Sequence, residues 1–263
     1  MSNYKTKNSI PIIFNRKKIL YKNFDNIKLY KNIAHEISQR LNETTFSYNY
    51  GIEINSKSNE AHSIINKSNK INNLYRTSLH SKNLTKNLDI VCDEELLPLK
   101  NNGFNLIFSI LGLNLINDLP GTLKQIHDAL KPNGLFIAAF WGQGTLIPLS
   151  ESLAYADEKI LGGLYQRTYP FCDIKTLGNL MQRAGFNDPV ADVEKIIYSY
   201  KNIIEIIYDV RRLSEKNILS TRKKSFTPKS IFKEAEKYLY SKHSKNSEIK
   251  IPYNIVFVSG WKK

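Results

Sequence analysis

GFNLIFSILGLNLINDLPGTLKQIHDALKPNGLFIAAF, from Gly103 to Phe140, sets an apolar strand, a helix and a second apolar strand in immediate succession. Leu135 to Phe140 is apolar on both faces, which suits a strand in the middle of a parallel sheet covered by helices on each side. Phe104 to Leu111 is nearly as apolar. Between them Leu119, Leu123, Ile126, Ala129 and Leu130 recur at helical spacing, and Pro132-Asn133-Gly134 stops the helix before the next strand begins. Strand, helix and strand in this order predict a doubly wound α/β domain rather than separate layers.

The same alternation continues outward. The first fifty residues read as helical and polar, with Ile33, Ala34, Ile37 and Leu41 forming one stripe on a helix between about Ile27 and Leu41. Tyr48 to Ile54 reads as the first strand, 55–59 as a polar loop, and Ala61, Ile64 and Ile65 as the buried side of a short helix. A weak strand around Leu74-Tyr75 and a third at Leu88 to Val91 follow, with Pro98 and Asn101-Asn102-Gly103 as breaks. Downstream, Thr145 to Leu161 reads as an inserted helix and Leu177 to Arg183 as another, ended by Gly185. Val190 to Tyr198 would be the sixth strand and Ile251 to Trp261 an antiparallel last one. Ile203 to Leu213 and Ser230 to Tyr240 make a basic helical insertion between them. The expectation is a doubly wound, mostly parallel seven-stranded sheet with N-terminal helices and helical insertions. Residues 1–46 form a helical cover, and 47–263 the main domain, with insertions at about 145–169 and 200–245.

Composition narrows the function classes. At 263 residues, with 41% hydrophobic residues, the chain can bury a substantial core. Its formal charge of +14 would ordinarily raise nucleic acid or an anionic surface as a partner. Lys and Asn, however, are spread through turns and helix surfaces, and Asp209, Glu215, Glu234 and Glu236 interrupt the basic set Arg211, Arg212, Lys216, Arg222, Lys223, Lys224, Lys229 and Lys233. A solvated face is the simpler reading of that set, so nucleic acid is the least favoured partner. Cys92 and Cys172 have no metal or CxxC spacing, the five histidines form no HxxxH pair, and no metal is expected. Phe104 to Ile116 is too short to span a bilayer, and the apolar run Ile10 to Phe14 lacks the features of a signal peptide. A soluble protein of a reducing compartment, the cytoplasm, is the expectation.

The order of Asp93 after a short strand, the strand from Phe104, the turn Asn117-Asp118-Leu119-Pro120 and Leu130-Lys131-Pro132-Asn133-Gly134 resembles the second half of a class I S-adenosylmethionine (SAM)-dependent methyltransferase, a Rossmann-like fold. Shorter pieces resemble one branch of it: Phe14-Asn15-Arg16, Asp93-Glu94-Glu95-Leu96-Leu97-Pro98, Gln125-Ile126-His127, Gly144-Thr145-Leu146, Arg183-Ala184-Gly185-Phe186 and Gly260-Trp261-Lys262. Together they look like the respiratory complex I assembly factor 5 family, close to the malonyl-carrier-protein methyltransferase of biotin synthesis. The resemblance implies SAM as cofactor and a protein partner, expected to be a subunit of the respiratory NADH dehydrogenase. The mitochondrial member of that family is understood to hydroxylate an arginine, so reaction does not follow from fold.

The resemblance also assigns positions. The loop after the first strand should read acidic-x-Gly-x-Gly-x-Gly, because glycine lets the backbone approach the methionine end of SAM. Here it reads Glu53-Ile54-Asn55-Ser56-Lys57-Ser58-Asn59, with the acid kept and the glycines gone. The acid that should hold the ribose hydroxyls after the second strand falls at Ser78, in Arg76-Thr77-Ser78. Asp93 matches the acid that should accept from the adenine amino group, and Ser109 opens the fourth strand's end. Asn114-Leu115 stands where relatives often have His-Trp. The cofactor-binding candidates are therefore Glu53, Asn55, Lys57, Ser78, Asp93 and Ser109, with no catalytic residue identified. Three functions stay open: an active SAM-dependent methyltransferase, a catalytically inactive assembly or binding module, and a nucleic-acid binder.

Overall fold

The computed structural model describes residues 11–19, 24–81, 89–168, 170–213, 217–223 and 225–263. Its sheet contains β1 (Tyr48–Glu53), β2 (Ile71–Ser78), β3 (Asp89–Val91), β4 (Phe104–Ile110), β5 (Leu130–Trp141), β6 (Asn187–Tyr200), β7 (Ser244–Lys245) and β8 (Glu248–Trp261). The order across it is β3-β2-β1-β4-β5-β8-β6. Strands β3, β2, β1, β4 and β5 run parallel, and β8 enters antiparallel between β5 and β6. Seven strands were expected and an eighth is present. The addition is β7, a two-residue hairpin partner of β8. Asn246 and Ser247 both take positive φ at its turn, 53° and 60°, the twist that suits a tight hairpin.

The two-faced burial expected of the central strands is realised. Leu106 and Phe108 of β4 face a core made with α1 (Lys28–Glu43), α2 (Asn59–Asn66), α4 (Ile147–Leu161), α6 (Ile203–Arg212) and α7 (Lys229–His243). Ile107, between them, faces the opposite core with α3 (Leu119–Ala129) and α5 (Ile174–Ala184). Each such buried side chain contributes roughly 1.5–3 kcal/mol of transfer free energy. Among the described residues, no helix is long and apolar enough to cross a membrane.

Several boundaries differ from the sequence reading for tertiary reasons. Strands β6 and β8 outrun the expected Val190–Tyr198 and Ile251–Trp261 because they pair along their whole length, from Asn187↔Trp261 to Tyr200↔Ile249. Residues 11–19 are not helical apart from the 3-10 turn Arg16–Lys18, which corrects the reading of the first fifty residues. Their backbone groups go instead to a distant segment: Phe14 bridges Leu219, Asn15 N–H donates to the Ile218 carbonyl and Ser220 N–H to the Ile13 carbonyl. Ile10, Leu88, Tyr169, Glu215, Lys216 and Lys224, used in the sequence reading, lie outside the described residues.

Candidate functional site

The carboxyl ends of β1 to β5 share one edge, and the β1–α2 loop opens there. Asn55 adopts φ 52°, the left-handed conformation that glycine would supply more cheaply and asparagine tolerates. Its N–H donates to Thr77 Oγ1 at 2.9 Å, and its Nδ2 donates to the Gly112 carbonyl at 2.9 Å. Ser109 Oγ donates to the Ile54 carbonyl at 2.9 Å. The ends of β1 and β4 are thereby tied together. Gly112 is required at this contact, since a Cβ there would lie 2.6 Å from Ser109 Oγ and 2.8 Å from the Ile54 oxygen.

Lys57 completes the closure. Its Nζ donates to the Leu111 carbonyl at 2.9 Å and lies 5.7 Å from the centroid of the Phe24 ring. Glu53, 1% exposed, receives His62 Nδ1 at 2.7 Å from α2. The adjoining Ser58 caps α2 by accepting the Ala61 N–H.

At the end of β2, Ser78 is fully buried. Two residues before it, Arg76 forms a bidentate pair with Asp89 of β3, at 2.9 and 3.0 Å, and donates to Asn59 Oδ1 at 2.7 Å. Asp89, in register with Arg76 two residues before the strand end at Ser78, is a carboxylate that the sequence reading did not use, and it is committed to Arg76. Asp93, its side chain half exposed, accepts from Arg16 Nη1 at 2.5 Å and from the Glu95 N–H at 2.8 Å. The same guanidinium reaches Glu94 and, at 3.2 Å, Glu95. Burial pushes the Glu94 carboxyl above its ordinary range, with Arg16 acting in the opposite direction. Arg16 is the contact that sequence reasoning missed, although Phe14-Asn15-Arg16 had been singled out. Its segment is also held by Asn117, whose Oδ1 accepts the Phe14 N–H at 2.8 Å.

Asn114 likewise serves the backbone: Nδ2 donates to the Leu111 carbonyl and Oδ1 accepts the Trp141 N–H. Leu115 packs with Phe14, Ile218 and Leu219. The structure thus gathers Glu53, Asn55, Lys57 and Ser109 around the β1 and β4 ends, with Ser78 and Asp93 at the neighbouring strand ends. A cavity of about 590 Å³ lies outside Arg16, lined by Arg16, Asp93, Glu95, Asn117, Leu219 and Arg222 among others, and by none of Glu53, Asn55, Lys57, Ser78 or Ser109. Among the described residues, no group of three or more His, Cys, Asp or Glu could hold a metal ion.

Known proteins resemble this chain in sequence and shape. A family profile described as "Methyltransferase domain" matches residues 30–189. "Arginine-hydroxylase NDUFAF5, mitochondrial" of Danio rerio is 35% identical over 173 residues, covering 66% of this chain and 54% of that protein. "Malonyl-[acyl-carrier protein] O-methyltransferase" of Gallionella capsiferriformans is 26% identical over 177 residues, covering 67% and 59%. The chain therefore spans between about half and three fifths of these relatives' length. Among solved structures, the YcgJ protein of Bacillus subtilis superposes with TM-score 0.57 at 10% identity, over 87% of this chain and 98% of that one. Phosphoethanolamine N-methyltransferase 2 of Haemonchus contortus, solved with S-adenosyl-L-methionine, superposes with TM-score 0.52 at 18% identity, over 88% and 52%. At these identities the superpositions show the fold alone.

Proposed function

The chain belongs to the methyltransferase-domain family, and from that premise we propose that it works as a protein-binding assembly module whose capacity to use SAM is weak or lost. The partner is a subunit of the respiratory NADH dehydrogenase, contacted by the N-terminal segment and the 145–169 insertion over the carboxyl edge of the sheet. The observation that carries this reading is the Lys57 ammonium bonded to the Leu111 carbonyl across the β1 and β4 ends. In this fold the methionine end of SAM would pass there. A cation beside the SAM sulfonium is repulsive, and the side chain must also be displaced.

The other recognition positions support the same conclusion. Ser78 offers no carboxylate to a ribose, and Asp93 is engaged by Arg16. The residues present do not fit SAM in its usual pose. Each lost hydrogen bond is worth about 1 kcal/mol, so losing two or three lowers affinity by about 10². The rival reading is an active SAM-dependent enzyme, favoured by the retained acids Glu53 and Asp93. The two free cysteines suit a reducing compartment, and the cytoplasm is the proposed location.

Calorimetric titration with SAM and S-adenosylhomocysteine separates the two. The expected result is no saturation at submillimolar ligand. A dissociation constant in the low micromolar range for either ligand overturns the proposal in favour of the enzyme. Affinity capture with the tagged chain, probed for NADH dehydrogenase subunits, tests the partner separately.

A further inference from the structure

A second cavity, of about 520 Å³, opens among α4, α6, α7 and residues 217–223 and 225–227. That volume lies within the range of small-molecule sites. Leu146, which follows the carboxyl end of β5 and caps α4, lines it, so it opens at the sheet edge where ligands of α/β domains bind. None of Glu53, Asn55, Lys57 or Ser109 contributes to its wall.

The lining has two chemical parts. Leu149 and Leu153 of α4, Ile207 and Val210 of α6, Phe232 of α7 and Phe171 make an apolar well. Arg167, Arg211, Arg222 and Lys223 supply cations, and no carboxylate joins them among the described lining residues. Arg167 is a wall strut: it donates to both oxygens of the fully buried Asp157 and, at 2.9 Å, to Thr227 Oγ1. Lys223 has its Nζ 3.8 Å from the centroid of the Tyr165 ring, a cation–π contact that positions the ammonium. An uncharged apolar ligand would leave Arg222 and Lys223 without a counter-charge, and a small hydrophilic anion would leave the well without apolar contact. A molecule with both parts satisfies both.

We propose that this cavity is a binding site for an amphipathic anion, with an alkyl chain in the Leu149–Phe232 well and a carboxylate or phosphate head at Arg222 and Lys223. The cationic lining fixes the sign of the head group, since a cationic head at the same position would meet like charges.

The test is calorimetric titration of the full chain with four probes below their micellar concentrations: decanoate, decyl phosphate, decanol and decyltrimethylammonium. One site is expected, with decanoate and decyl phosphate each bound at least about tenfold more tightly than the other two. The stronger of the two anions identifies the preferred head group. Arg222→Ala combined with Lys223→Ala should cost the anions about tenfold and leave decanol unchanged. Val210→Trp, which fills the well, should abolish binding of all chain-bearing probes while circular dichroism stays that of the native protein. Lys237→Ala, on an exposed face of α7 away from the cavity, is the charge control and should change nothing. The proposal is overturned by decanol binding as tightly as decanoate, by Lys237→Ala weakening the anions as much as the rim pair does, or by no probe binding.

Discussion

Truncating Lys57 to alanine removes one hydrogen bond to a main-chain carbonyl and one cation from the β1–β4 crevice. Lys57→Ala should lower unfolding free energy by only about 1 kcal/mol in urea titration, while raising SAM affinity about tenfold or more over the native chain. No gain in affinity would place the obstruction elsewhere, at Arg16 above all. Introducing aspartate at Ser78 is the less useful repair, because that side chain is fully buried and an added carboxylate would be desolvated there. The thiols make a separate prediction. Burial pushes Cys92 up to about 11 and Cys172 upward as well. Native-state iodoacetamide labelling of Cys92 at pH 8 should therefore be slow, with about one thiol in a thousand ionised. Its rate should climb about tenfold per pH unit until it levels near 11. Rapid labelling at pH 8 would contradict the burial. At this scale the sequence exposed residue types and little about their partners: Glu53 and Asp93 were readable as acids, whereas Arg16 meets Asp93 across 77 positions and no local pattern encodes that.

Helix ends stopped by glycine were legible, and the carboxyl end of α5 is the clearest, although its start at Ile174, after the Asp173 cap, precedes the expected Leu177. Gly185 ends it at φ 102°, with the His127 ring 3.2 Å from where a Cβ would stand. Gly185→Ala should cost about 1–2 kcal/mol or more in denaturant titration, from the left-handed backbone alone. Asp173→Ala at the other end, losing the cap to the Thr176 N–H, should cost about 1 kcal/mol. Strand β2 was faint in the sequence because Asn72 and Asn73 are exposed in its first half; it exists through parallel pairing with β1 and β3. Residues 11–19 were misread as helical, since their hydrogen bonds reach distant partners at 93–94, 117 and 218–220 that no local pattern encodes. Arg16→Ala should loosen this segment. Hydrogen exchange at Asn15 and Ser220 should accelerate, while protection in β4 and β5 stays unchanged.

Across the whole molecule, the doubly wound α/β class was recoverable because β4 and β5 are buried on both faces, a burden that only a covered parallel sheet imposes on a sequence, whereas the order β3-β2-β1-β4-β5-β8-β6 was not read from it. Which surface a partner uses was not, because Lys and Asn are spread too evenly to outline a patch. If the basic side chains near Arg211 and Arg222 help hold an acidic partner, retention in the capture experiment should fall on going from low to moderate salt. Salt-independent retention would assign the contact to apolar surface instead. The placing of β8 between β5 and β6 also has a temporal side. During synthesis β6 leaves the ribosome with no partner in the sheet, and β5 keeps one edge bare until α6, α7 and then β8 have emerged. At about 5–20 residues per second, that interval lasts seconds. The nascent chain therefore carries an unpaired fourteen-residue strand for far longer than a hairpin needs to close, and a chaperone able to mask a strand edge would find its substrate in that interval.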